Sequence, residues 1–234
     1  MSRTKVNTAM LGVKEMFISN HTLAWKFLTE FEWPWEVLPE ISNILNKISL
    51  ELDLTEYDVF DNNVFIHKSA HVAPSAYVGK SVIIGEDTEV RHCAFIRENA
   101  IIGNGAVVGN STELKNVILF DKVQVPHFNY VGDSILGYKA HMGAGVITSN
   151  VKNDKSQISV DCAGQKLETK LTKFGAILGD NVEIGCNSVL NPGSVIGAGA
   201  TIYPLSSVRG FIPPDSIYKK QDDVVLRNYK YAEY

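Results

Sequence analysis

Cysteine is scarce: Cys93, Cys162 and Cys186 are the only three in a chain of 234 residues. Their uneven spacing offers neither a disulfide framework nor the paired spacing of a zinc site, and it points to reduced thiols in the cytoplasm. Excess charge is lacking too. The 22 basic and 26 acidic residues leave a net charge of −4, so no basic surplus argues for nucleic acid as a partner. No apolar run is long enough to span a membrane. The opening residues, MSRTKVNTAMLGVKEMF, lack the apolar core of a signal peptide. The expectation is a cytoplasmic protein that meets neither membrane nor nucleic acid.

What the chain does have is a rhythm. From Ile66 an aliphatic or aromatic residue returns at every sixth position: Val72, Val78, Ile84, Val90, Ile96, Ile102, Val108, Leu114 and Phe120. Four places after most of them stands a small or β-branched residue, such as Ala70, Ala76, Val82, Thr88, Ala94, Ala100, Ala106 and Thr112. Gly79, Gly85, Gly103 and Gly109 follow the aliphatic residue. The phase returns at Leu178, Ile184, Leu190, Ile196, Ile202 and Val208. A helix would need a period of 3.6 and a plain strand a period of 2. A period of six fits short strands joined by tight turns in which Gly supplies unusual backbone angles, stacked into a parallel β-solenoid with one continuous aliphatic column. The pattern resembles the hexapeptide repeat of the left-handed parallel β-helix. That resemblance implies a mainly β fold, about 18 residues per coil, and a homotrimer.

Residues 1–60 lack the repeat. LPEISNILNKISLEL reads as an amphipathic helix, with Pro39 in its first turn and Leu38, Ile41, Leu45 and Ile48 on one face. Trp33 and Trp35 stand just before it. This region is expected to be a helical cap over an open end of the solenoid, which spans 61–212. Within the solenoid, 151–177 leaves the repeat and alternates apolar with polar residues around Ala163-Gly164-Gln165, an inserted loop with a hairpin. The tail 213–234 is expected to form a short helix.

Arg97 and Lys115 each follow an inward residue and lie one 18-residue coil apart, so they should stack on one corner. Like charges so placed repel unless they splay into water or share an anion, and Arg with Lys suits a phosphate. Counted in sixes, the rhythm fails at VPHFNYV. Counting from Phe120 gives Pro126 as the next inward residue, and the phase recovers at Val131. A bulge there would re-aim His127 and Tyr130 out of the column, and a neutral imidazole near pH 7 accepts a proton.

The stretch from about Val90 to Val208 resembles the acetyltransferase domain of the bifunctional N-acetylglucosamine-1-phosphate uridyltransferase/glucosamine-1-phosphate N-acetyltransferase family. It is also similar to the C-terminal domains of archaeal sugar-1-phosphate nucleotidylyltransferases with the same dual activity. The segments that carry the resemblance are VGNSTELKN, HFNYVGDSILG, MGAGVITSN and LGDNVEIGCNSVLNPGSVIG. It implies an acetyl-CoA-dependent N-acetyltransferase acting on an amino-sugar 1-phosphate in nucleotide-sugar precursor synthesis, with no metal. Carried over by position, His127 is the general base, Arg97 and Lys115 hold the phosphate, and Tyr130 and Asn150 bind the sugar. Asn150 or the Ala144 N–H stabilises the amine or the oxyanion. Cys186 and Pro204 line the coenzyme A cleft.

The chain also departs from that family. Residues 1–60 hold no Gly-rich triphosphate loop, so uridyltransferase or pyrophosphorylase activity is not expected. His141 stands where the family has a sugar-site Asn. Lys155 lies one place from the family's distal-loop Lys, with Lys152 as the other candidate. Two rivals remain: a metal enzyme of the carbonic-anhydrase type using His67, His71 and His92, whose offsets do not stack, and a non-catalytic or vestigial sugar-nucleotide-binding solenoid.

Overall fold

The computed structural model describes residues 8–17, 20–221 and 223–227. It is a parallel β-solenoid of about nine turns. Each coil is a triangle, and the strands stack into three faces. One face is a nine-stranded sheet that runs through His71–Val72, Glu89–Val90, Val107–Asn110, Gln124–His127, His141–Met142, Glu183–Ile184, Thr201–Ile202 and Ser216–Lys220, with Asp223–Leu226 at its edge. The other two faces share a 12-stranded sheet, because long strands such as Tyr77–Ile84, Phe95–Ile102, Glu113–Leu119 and Tyr130–Leu136 turn the corner between them. Below, the face opened by Tyr77, Phe95, Glu113 and Tyr130 is the site face, and the face holding Ile83, Ile101, Ile118 and Ile135 is the covered face.

The inward column is the six-residue row. Val90, Ile96, Ile102, Val108, Leu114, Leu190, Ile196 and Val208 are fully buried, as are the small partners Ala100, Ala106, Thr112, Ser188 and Ala200. Glycine's part is different from the one expected. Gly79, Gly85, Gly103 and Gly109 are not the left-handed residues of the corners. A Cβ on Gly79 would strike the Arg97 carbonyl, and one on Gly109 the Pro126 carbonyl. They are small because the next coil lies against them. The left-handed corner positions are filled mostly by other residues, including Ser81, Asn99, Asn116 and Asp133 along one corner, with φ between 47° and 53°. Asn and Asp tolerate that region best.

The break in rhythm falls elsewhere than Pro126. Ile96 pairs with Leu114 across 18 residues, but Ala100 pairs with Val117, and the register shifts between them. The side that begins at Leu114 has five residues instead of six. The side that begins at Val131 is short as well, since Val131 pairs with Leu114 and Ser134 with Val117. Val125 and Asn129 then follow as a regular inward pair, both buried. His127 therefore ends an ordinary strand, Gln124–His127, paired to Asn110, and no bulge presents it. Phe120 belongs to a corner column that holds glycine on its neighbouring coils, at Gly85, Gly103, Gly137, Gly179 and Gly197, and its ring meets Phe17 at 4.7 Å.

The N-terminal region lies along a side of the solenoid rather than over an end. By strand alternation the middle residues Phe65, Ile83, Ile101, Ile118, Ile135, Ile177 and Val195 point out of the coil, yet Ile83 to Val195 are fully buried. Ile83, Ile101, Ile118 and Ile135 are covered by the helix Ile41–Ser49, which packs on strands Tyr77–Ile84, Phe95–Ile102 and Glu113–Leu119, and by the 3-10 helix Pro34–Glu40, which packs on Tyr130–Leu136. Ile41, Ile44, Leu45 and Ile48 form the buried stripe. Pro39 sits inside the 3-10 helix, ahead of the α-helix. Trp35 is buried beside Phe174, and Trp33 stacks on it. Strand Tyr57–Phe60 pairs antiparallel with Val64–His67 and closes the first coil.

The insertion is a hairpin, Ile158–Cys162 with Gln165–Leu171, turning at Ala163-Gly164. It lengthens the coil offset to 42 residues. The tail is a second hairpin and not a helix: Ser216–Lys220 continues the nine-stranded sheet and Asp223–Leu226 folds back on it. A parallel strand left open at the end of a sheet gains a partner this way. Residues 228–234 of the tail lie outside the described residues. Among the described residues no helix is long and apolar enough to cross a membrane.

Candidate functional site

The sequence-selected residues fall on the two long edges of the site face. Arg97 and Lys115 occupy the edge toward the covered face, one coil apart, directly after the paired residues Ile96 and Leu114. Each has a carboxylate partner. Arg97 Nη1 donates to Glu113 Oε1 at 3.1 Å, a bond that raises the guanidinium pKa. Lys115 Nζ lies 3.5 Å from Asp133 Oδ1.

Asp133 is the centre of this edge, and only 4% of it is exposed. Its Oδ1 also accepts from Asn116 Nδ2 at 3.0 Å, and its Oδ2 from Asn150 Nδ2 at 2.6 Å. The Asn150 amide reaches on to the Tyr130 hydroxyl at 3.3 Å. Burial pushes the Tyr130 phenol above its ordinary value. The Asp133 and Glu113 charges add to the rise, while the Asn150 hydrogen bond and the Arg97 charge oppose it. Arg97, Lys115, Tyr130 and Asn150 thus form one continuous polar strip with Glu113, Asn116 and Asp133, three residues that sequence reasoning left unassigned. One signal could have found Asp133: it falls 17 residues after Asn116, the return distance of a coil that has lost one residue.

The other edge holds a second column. His92, Asn110, His127, Ala144, Cys186 and Pro204 take the same corner position on successive coils, linked by Ser111 N–H to His92 O, Phe128 N–H to Asn110 O, Gly145 N–H to His127 O, Asn187 N–H to Ala144 O and Leu205 N–H to Cys186 O. His127, Cys186 and Pro204 are exposed. Among the described residues the His127 ring has no hydrogen-bond partner. Its backbone N–H donates to Asn129 Oδ1, and the Asn129 amide holds the Gly143 carbonyl at 2.9 Å, so the two coils at this corner are fixed together. The exposed Phe128 and Leu205 flank the column.

Two sequence-selected residues stand apart. His141 is on the nine-stranded face, where its Nδ1 pairs with Glu183 Oε2 at 2.8 Å. Lys155 is exposed on the inserted loop at φ 57°, its backbone N–H bonded to Lys152 O, and Lys152 Nζ caps Gln157 O.

The fold is a parallel solenoid of six-residue repeats, with two polar columns along one face. Among families, the one described as "GMPPB C-terminal domain" matches residues 86–196. The bifunctional protein GlmU of Methanococcus aeolicus is 32% identical over 221 residues, 92% of this chain and 54% of that protein. GlmU of Methanococcus maripaludis strain C7 is 45% identical over 195 residues, 82% of this chain and 47% of that protein. The chain is similar to the C-terminal part of these proteins, and spans about half the length of the curated relatives it matches. Among solved structures, the acetyltransferase domain of PglB from Neisseria gonorrhoeae in complex with acetyl coenzyme A covers 79% of this chain and 66% of its own, at 16% identity and a TM-score of 0.31. The polysialic acid-specific acetyltransferase NeuO covers 74% and 79%, at 14% identity and a TM-score of 0.40.

Proposed function

We propose that the protein transfers acetyl from acetyl-CoA to the amine of a phosphorylated amino sugar. The observation that supports this best is the division of the site face: a cationic, amide-rich edge built on Asp133 and a corner edge carrying an exposed imidazole with no hydrogen-bond partner among the described residues. Arg97 and Lys115 take the phosphate. Lys115 keeps donors beyond the one facing Asp133, and Arg97 has five N–H groups of which Glu113 holds one. Tyr130 and Asn150 orient the sugar ring. His127 takes a proton from the amine as nitrogen attacks the thioester carbonyl. The C–N bond forms, the C–S bond breaks, and the proton passes to the departing thiolate. A base so placed contributes on the order of 10²–10⁴ in rate. The Ala144 N–H is the donor for the oxyanion, and the corner column with Cys186 and Pro204 receives the coenzyme arm. Cys186 is not a nucleophile in this scheme, and no covalent enzyme intermediate forms.

The two edges belong to opposite sides of one face. Assembly as a homotrimer supports the chemistry by setting the His127 corner of one copy against the Asp133 edge of the next. His141, tied to Glu183 on another face, has no part within its own copy.

The test is release of free thiol from acetyl-CoA in the presence of glucosamine 1-phosphate and related acceptors, with wild type and His127→Ala. Loss of acceptor-dependent thiol release in the variant is the expected result. Unchanged turnover removes His127 from its role, and no turnover with any amino-sugar phosphate leaves the rival reading, a non-catalytic solenoid.

A further inference from the structure

On the far side of Arg97 from Asp133 the site face opens into a cleft of about 580 Å³, lined by Asn62, Tyr77, Lys80, Phe95, Arg97 and Glu98 among others. Apart from Arg97, the acetyl-transfer scheme uses none of these residues. Tyr77 and Phe95 stand on paired strands 18 residues apart, with ring centroids 5.4 Å apart and planes at 66°. They are 60% and 41% exposed, an unusual surface for two aromatic rings side by side in a coil whose inward positions are filled. Lys80 and Glu98 are a paired couple on the same corner, 3.9 Å apart. Asn62 sits at the tip of the first hairpin at φ 63°, and its carbonyl is fixed by the Ser81 N–H, so the tip is tied to the corner that carries Lys80.

These side chains are what a nucleotide asks for. Exposed ring faces stack a planar base of any sequence. An Asn amide can pair with a base edge. A carboxylate such as Glu98 accepts from ribose hydroxyls. Lys80 and Arg97 together match two phosphates, whereas a sugar 1-phosphate between Arg97 and Lys115 needs only one. The carboxylate lining this space is Glu98, already paired with Lys80, while Arg97 is held by Glu113 from the next coil. We propose that the cleft binds a nucleoside diphosphate, and that the acceptor class is a nucleoside-diphosphate amino sugar rather than the free amino-sugar 1-phosphate. The inference rests on the acetyl-transfer reading for the sugar end alone. The reaction is unchanged: the C–N bond forms, the thioester C–S bond breaks, and the diphosphate is untouched.

Two measurements test this. First, kcat/KM is compared for glucosamine 1-phosphate and for its uridine- and guanosine-diphosphate counterparts, with wild type, Tyr77→Ala and Phe95→Ala. A nucleotide-linked acceptor is expected to be preferred by at least about tenfold, and each variant to shift the ratio of the two acceptors back by on the order of tenfold. Second, uridine diphosphate and guanosine diphosphate alone are titrated calorimetrically, with particle mass followed by light scattering. Binding weakened about tenfold in the variants at unchanged mass supports the subsite. Equal kcat/KM for both acceptor classes, or no binding of either diphosphate, overturns it while acetylation of the 1-phosphate leaves the acetyl-transfer reading standing. A change of assembly mass in the variants also overturns it, since the rings then meet a second copy. Diphosphate binding without acetylation of any acceptor sinks the acetyl-transfer reading and keeps the subsite.

Discussion

Replacing Asp133 should show how much of the site rests on one carboxylate. In Asp133→Ala the Lys115 ammonium and the Asn116 and Asn150 amides lose their acceptor together. Removing one partner of a buried ion pair costs about 3–5 kcal/mol, which for a chain of this size lowers the melting temperature by roughly 6–20 °C. Asp133→Asn is the sharper test. Asparagine accepts the left-handed backbone at φ 47° and keeps one acceptor oxygen, so the fold should survive with a smaller loss. The charge is gone, however, and that charge helps to hold the Tyr130 phenol up. The Tyr130 ionisation, read from its ring carbon by NMR, should therefore fall in Asp133→Asn, with burial, the larger cause of the rise, left in place. The sign for stability follows. With the folded value raised, the contribution of the neutral phenol is complete below the ordinary value and is lost as pH rises through the raised one. Wild-type stability should decline in that alkaline window more steeply than that of Tyr130→Phe. An Asp133→Ala loss under about 1 kcal/mol, or a Tyr130 titration unmoved by Asp133→Asn, would refute the reasoning.

Two further outcomes can be checked. Ile101 points out of its coil under the helix Ile41–Ser49, so Ile101→Ala should cost about 2–5 kcal/mol in denaturant unfolding and speed proteolysis at 50–56, where an exposed turn follows the helix; a change typical of a surface site argues against the covering role. Cys93 and Cys186 are exposed, whereas Cys162 is buried and its thiol pushed up, mainly by burial, so iodoacetamide should label the first two well before the third, as mass spectrometry of peptides would show.

The six-residue row was legible because every inward residue is aliphatic and its small partner follows at a fixed distance. Counting in sixes went wrong where three apolar residues adjoin. Ile118 faces the helix, Leu119 faces the column and Phe120 meets Phe17, and no period separates them. A missing residue between Leu114 and Val117 was therefore absorbed silently and surfaced later as an apparent fault at Pro126. The position of the N-terminal region was also written in the sequence: Ile83, Ile101, Ile118, Ile135 and Ile177 make an apolar outward row, while the matching positions of the nine-stranded face, His71, Glu89, Val107, Gln124, His141, Glu183 and Thr201, are polar but for Val107. A row of isoleucines facing outward has to be covered by something. Stacking of Arg97 and Lys115 was legible because each directly follows a residue of the pair Ile96 and Leu114, which still stand a full 18 residues apart, ahead of the register shift. The Asp133 hub was not, because its donors come from the coils on either side of it, at offsets of 18 residues from Lys115 and 17 from Asn116 and Asn150 rather than a uniform 18.

The N-terminal region crosses the coils against the direction of the stack. Met16 O accepts from the Asp180 N–H, His21 O from Asp121, Leu38 O from the Asn116 amide, and Asn46 from the Asn63 amide. Repeat proteins ordinarily lengthen or shorten by whole units, since each unit sees only its neighbours. Here a non-repeating strap serves as a measuring rod laid beside the stack, anchored at both ends. Adding or deleting a coil between Asn63 and Asp180 would put every later anchor out of reach, so this stretch of the solenoid is locked to one copy number.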